Sequence, residues 1–169
     1  MIPRFSERTD SILRRAGWYP GRSCREDTAS IVQRTGWPVV PAAESFLREF
    51  CGLVLCSRPR IWLVPLGKMA EIARLGAVKQ EPQPRPDQDE ETKSILHPTG
   101  GCTPVGERYD GSVLILLNAA GEMFEWLHSD YPAKTPLWKT GRTPDEGLEY
   151  ICGTRKEVDY ISGSQGIGT

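Results

Sequence analysis

Few side chains in this 169-residue chain could carry out chemistry: it has two histidines and five cysteines, the latter at positions 24, 51, 56, 102 and 152. Cys51 and Cys56 could share a metal ion, but a zinc site needs two more ligands, and His97, Cys102 and His128 stand at no zinc spacing. A nucleophilic pair of Cys102 and His97 would need a third group to orient it and a pocket to work in, and the sequence signals neither. Gly100-Gly101 reads as a turn with no phosphate-cradling pattern after it. Glu122 and Glu125 lie three apart, which on a strand sends them to opposite faces and suits two solvated charges better than an acid–base pair. The expectation is a protein with no catalytic group, no metal and no cofactor. An odd, scattered set of cysteines is also poor material for a disulfide framework, so reduced thiols are expected, and with them a cytoplasmic location.

The charge distribution narrows the choice of partners. The formal net charge is only -1, yet residues 1–60 carry ten bases against six acids, and Glu81 to Asp130 carry ten acids against three bases. A surface of the latter sign repels phosphate backbones, which argues against nucleic acid. No apolar run approaches the ~20 residues needed to span a bilayer, and the N-terminal Arg4, Glu7, Arg8 and Asp10 do not resemble a signal peptide. The length suits one domain, expected over residues 1–161. An exposed proline- and acid-rich loop at about 79–94 and a flexible tail at 162–169 complete that division.

These residues must be positioned by helices and strands of ordinary signature. Ser6 can cap a helix from Glu7 to Ala16, stopped by Gly17, after which Trp18, Tyr19, Pro20 and Gly21 turn the chain with both aromatics folded onto the core. A short helix is expected from Glu26 to Thr35. A clearer one begins at Pro41, with Ala43, Phe46, Leu47 and Phe50 on one face before Gly52. Strands follow at Leu53–Cys56 and Ile61–Leu66, and then a short helix at Lys68–Leu75. Beyond the proline-acid loop come strands at Thr103–Glu107, Val113–Asn118 and Glu122–Leu127, with turns at Asp110-Gly111 and Ala119–Gly121. Thr143-Pro144-Asp145-Glu146 opens a last helix that runs to Cys152 and stops at Gly153. The class is α+β, with a mostly antiparallel central sheet packed by helices.

Several of these stretches carry a resemblance. Leu13-Arg14-Arg15-Ala16-Gly17-Trp18-Tyr19-Pro20-Gly21-Arg22, the segment from Val39-Val40-Pro41 to Leu53, and Pro104-Val105-Gly106-Glu107 with Asp110-Gly111 are similar to the SUKH superfamily of bacterial immunity proteins, third subfamily. Gly121 with Met123 and Phe124, and the last helix ending at Gly153, agree. Gly17, Trp18, Tyr19, Pro20, Gly21, Trp37, Pro41, Phe46, Phe50 and Gly52 are its structural signature. Cys51 stands where the family commonly repeats a glycine, and Val64-Pro65 replaces its usual Phe-Asp-Pro. The resemblance implies an α+β fold shared with a fungal cell-wall regulator, and a protein that neutralises a cognate toxin by stoichiometric binding; a nuclease toxin fits the acidic half best, and the oligomeric state is left open with a monomer favoured. The partner contacts it suggests lie in the acidic, divergent half: Asp87, Asp89, Glu90, Glu91, Asp110, Glu125, Trp126 and Trp138. The two tryptophans are expected as exposed anchors, whereas Trp18 and Trp37 belong in the core. Two alternatives accompany this reading: a regulatory or scaffold module of the same fold, and a small Cys/His-dependent enzyme.

Overall fold

A computed structural model describes residues 3–24, 37–55, 100–108, 113–127 and 137–154, together with 61–63 and 159–162 as backbone elements. The expected helices at 26–35 and 68–75 and the proline-acid loop lie outside the described residues. Within them the chain forms helices α1 (Glu7–Arg15), α2 (Pro41–Phe50) and α3 (Pro144–Ile151). Seven strands accompany them: β1 (Leu53–Leu55), β2 (Ile61–Leu63), β3 (Cys102–Arg108), β4 (Val113–Asn118), β5 (Met123–Leu127), β6 (Leu137–Gly141) and β7 (Asp159–Ser162). The strands form one sheet in chain order, each antiparallel to the next, so the α+β class holds. Ser162 ends β7, and the rest of the expected tail lies outside the described residues. The expectations also lacked β6, whose five residues sit between proline-containing stretches that read as turn.

β4 is the centre. All six of its residues are buried, so neither face of the sheet can be left to water here. Register separates the two faces: Met123 and Glu125 point to one, with Leu117 and Ile115 opposite them on β4, and Phe124 and Trp126 point to the other, opposite Leu116 and Leu114. α2 and α3 cover the first face. Thr103, paired with Leu117, donates its hydroxyl to the Pro38 carbonyl at 2.6 Å and accepts the Val40 amide at 2.9 Å, which seats the entry to α2. α3 approaches β5 so closely that a Cβ built on Gly147 would lie 2.7 Å from Met123 Cβ. Glycine in a helix interior costs about 1 kcal/mol against alanine, and contact with the strand is what that cost allows. Gly141, at the end of β6, faces Gly147 in turn, where a Cβ would lie 2.8 Å from Gly147 Cα.

α1 is fastened to both other helices. Ser6 caps it as expected, accepting from the Thr9 amide, but a second group completes the cap from far along the chain. Glu149 of α3 accepts the Ser6 amide at 2.6 Å, the Ser6 hydroxyl at 2.7 Å and the Thr9 hydroxyl at 2.7 Å, and it also accepts from the Thr154 hydroxyl. A carboxylate here also meets the positive end of the α1 dipole. Arg4 adds a fork: its Nε and Nη2 donate to Asp145 at 2.8 and 2.7 Å, and its Nη1 to Glu49 of α2 at 2.7 Å. The Trp18 indole donates to the same Glu49 oxygen at 2.9 Å, while its ring stacks on Phe50 with centroids 6.3 Å apart.

Two predictions follow from this packing. Gly147→Ala should destabilise the fold by about 1–3 kcal/mol, the range typical of overpacking, seen as a loss of several degrees in Tm. Burial pushes the Glu149 carboxyl up, but the hydrogen bonds from Thr154, Ser6 and Thr9 outweigh it and hold the carboxyl below its ordinary range. A depressed carboxyl stabilises fully above its unfolded value, about 4.3, and that stability is lost as pH falls through the folded value. Glu149→Gln should therefore lower Tm near neutral pH and flatten its fall below roughly pH 4, as measured by thermal melts across the acid range.

Candidate functional site

Of the residues singled out as partner contacts, Asp87, Asp89, Glu90, Glu91 and Asp110 lie outside the described residues. Glu125, Trp126 and Trp138 come together on β5 and β6, although not as surface anchors. Trp126 is only 1% exposed. It falls on the same sheet face as Leu114 and Leu116 and is paired with Leu137, so its ring serves the core and the expectation of an exposed anchor is corrected. Trp138 is half-buried and turned inward at its polar end, its indole donating to Glu125 Oε2 at 3.0 Å.

Glu125 overturns a second expectation. It is fully buried rather than solvated, on the face that carries α3. Its Oε1 lies 2.5 Å from Arg108 Nη2, whose side chain is 13% exposed, and the Arg108 guanidinium sits 6.0 Å from the Tyr150 ring of α3. The contact is an ion pair without hydrogen-bond alignment, because Oε1 accepts no hydrogen bond and Arg108 Nε is buried without a partner. Burial pushes the Glu125 carboxyl up, and Arg108 and the Trp138 indole pull only partly against it. Glu122, the other member of the supposed pair, does go to the opposite side, where Lys139 donates to it at 2.6 Å and Asn118 at 2.8 Å. The two carboxylates cannot share a substrate.

The described cysteines are also disposed against nucleophilic work. Cys102 and Cys152 are buried, and burial pushes the Cys152 thiol up to about 11, leaving it protonated at neutral pH. Cys24 and Cys51 are joined in a disulfide, which corrects the expectation of reduced thiols throughout. Their proximity is invisible at a separation of 27 residues and depends on how the turn after α1 folds back. His97, His128 and Cys56 lie outside the described residues. Among the described residues no three His, Cys, Asp or Glu side chains gather where a metal could bind, and no helix is long and apolar enough to cross a membrane.

The remaining surface feature was misread in the sequence. Trp18 packs into the core as expected, but Tyr19 is 57% exposed and does not fold back with it. Adjacent residues of a turn leave the backbone in different directions, and with Trp18 committed inward the next ring is directed to water. Tyr19 stands between α1 and a segment hydrogen-bonded to the end of α2, so a large amphipathic ring is presented from a fixed base.

A capped α1, an aromatic turn, a proline-initiated α2, a meander sheet and α3 closing on α1 make up the described fold. The family description for SUKH-3 immunity proteins matches residues 5–154. The chain belongs to the SUKH-3 immunity protein family. Neither a curated protein nor a solved structure matches it. The SUKH-3 match begins at Phe5, whose ring packs edge-on to Trp18, and ends at Thr154, whose hydroxyl reaches Glu149, so it spans the interval closed by the α1–α3 contact. Membership supports an immunity-protein role for this SUKH-3 chain.

A buried pair loses more when halved than when removed whole, because one mutation strands the other charge. Arg108→Met and Glu125→Gln should each lower stability, Arg108→Met by about 3 kcal/mol. The double variant keeps an acceptor for the Trp138 indole and should recover most of that loss. Urea unfolding of the three variants checks the cycle.

Proposed function

We propose that this protein protects its cell by binding a cognate toxin stoichiometrically, without turnover, in the cytoplasm. The observation that carries the reading is the SUKH-3 immunity family match over residues 5–154. The site chemistry supports it: Glu125, buried beside Arg108, has no exposed surface to offer a substrate, and burial pushes the thiol of Cys152 away from reactivity. In this reading the acidic stretch, with Asp87, Asp89, Glu90, Glu91 and Asp110, steers a toxin with a basic surface, as a nuclease would have. The buried Glu125, Trp126 and inward-turned Trp138 act behind the surface, keeping the sheet rigid.

Coexpression with the toxin encoded beside it tests the role: the cells should survive and a one-to-one complex should be recovered. Killing without complex formation would sink the proposal. Neutralising Asp87, Asp89, Glu90 and Glu91 together should slow association roughly tenfold at low salt and flatten its salt dependence, with little effect on dissociation. An association rate that does not change would make that run a solvated loop and nothing more.

A further inference from the structure

The last turn of a helix leaves carbonyls with no partner inside the helix, and in α2 the segment after the aromatic turn supplies partners. Arg22 donates through Nη1 to the Glu49 carbonyl and through Nη2 to the Cys51 carbonyl at 2.7 Å. The Cys24 amide donates to the Arg48 carbonyl at 2.6 Å. These bonds hold Cys24 beside Cys51, with Cα atoms 6.4 Å apart, inside the range a disulfide spans. The frame also accommodates the reduced form, because Cys24 Sγ lies 3.8 Å from the Cys51 carbonyl oxygen, an acceptor already in place for a thiol. The two sulfurs are not equivalent: Cys51 is fully buried at the end of α2, whereas Cys24 is half-exposed.

We propose that Cys24 and Cys51 form a reversible redox clasp that exchanges with small thiols and disulfides of the glutathione class through Cys24 alone. In the opening direction an external thiolate attacks Cys24 Sγ, the sulfur–sulfur bond breaks, and its electron pair leaves with Cys51 Sγ, which takes up a proton. A second small thiol then attacks the external sulfur of the mixed disulfide and expels Cys24 as the thiolate. Two protein thiols and one small disulfide result. Closing is the reverse, with a small disulfide taking up the two electrons. Closed, the clasp holds the segment carrying Arg22, and with it the base of the Tyr19 turn, against α2. Open, the segment keeps the hydrogen bonds of Arg22 and the Cys24 amide but loses the covalent link.

The full chain is equilibrated in glutathione buffers of stepped poise, quenched by alkylation and mapped by peptide mass spectrometry. Cys24 and Cys51 should convert together in one two-electron step, with Cys102 and Cys152 reduced throughout. Cleavage by trypsin after Arg22 should be at least about tenfold faster in the reduced protein, since local opening governs such cutting. Cys51→Ser should accumulate a glutathione adduct at Cys24, whereas Cys24→Ser should leave Cys51 unmodified on the same timescale. The proposal is overturned by a Cys24 link to Cys56, by the absence of any link at every poise, by equal adduct rates at the two positions, or by cleavage that ignores redox state. The wild-type titration and cleavage stand even if a serine variant fails to fold.

Discussion

The structure depends on a strand that has no polar side. Val113 to Leu117 are apolar without alternation, and burying each contributes about 2 kcal/mol only if both faces of β4 are kept from water. Covering both faces forces β4 to the middle of the sheet, with β3 and β5 on its flanks, and requires α2 and α3 to lie across one face. Short neighbouring connections then place the remaining strands outward in chain order. Even the irregularities obey this constraint. Gly147 is needed because α3 must approach β5 to within contact of Met123, and Thr103 satisfies backbone groups at the α2 entry that close packing would otherwise strand.

A pair of opposite charges, Glu125 and Arg108, is admitted to that covered face. Glu125 is enclosed with Arg108, Trp138 and the ring of Tyr150, and its raised protonation range shows that burial outweighs what its partners return. Such a pair is poor glue but a strict register mark, because a slip of one residue along β5 would turn the carboxylate to the opposite face and leave Arg108 without it. The same strand thus carries a hydrophobic stripe that rewards burial and a polar pair that accepts only one alignment.

Much of the fold was legible because local chemistry and tertiary structure agree there. Ser6 and Thr143 act as caps, Pro41 and Pro144 begin helices, Gly153 takes a positive φ after α3, and Val113–Asn118 is a strand with the expected ends. What was missed depends on distant partners. β6 has little strand signature and gains its pairing from β5, while Glu125 and Trp126 differ from solvated residues only through what lies above and below them. The disulfide is legible only once the turn at Tyr19 has brought residue 24 to the end of α2. As for the candidate contacts, the charge of the acidic stretch is plain in composition, but which β-strand side chains face outward is decided by register, which no window of sequence contains.

The cap on α1 is shared between Ser6 and Glu149, residues separated by most of the chain. During synthesis the first helix therefore leaves the ribosome long before its second capping group exists, and loop closure on that scale must wait for the C-terminal helix to emerge. The arrangement matched across residues 5–154 becomes available only once translation has passed Glu149 and Thr154. A chain interrupted short of Glu149 would thus keep Ser6 but lack the second half of the α1 cap, leaving the first turn of that helix free to fray.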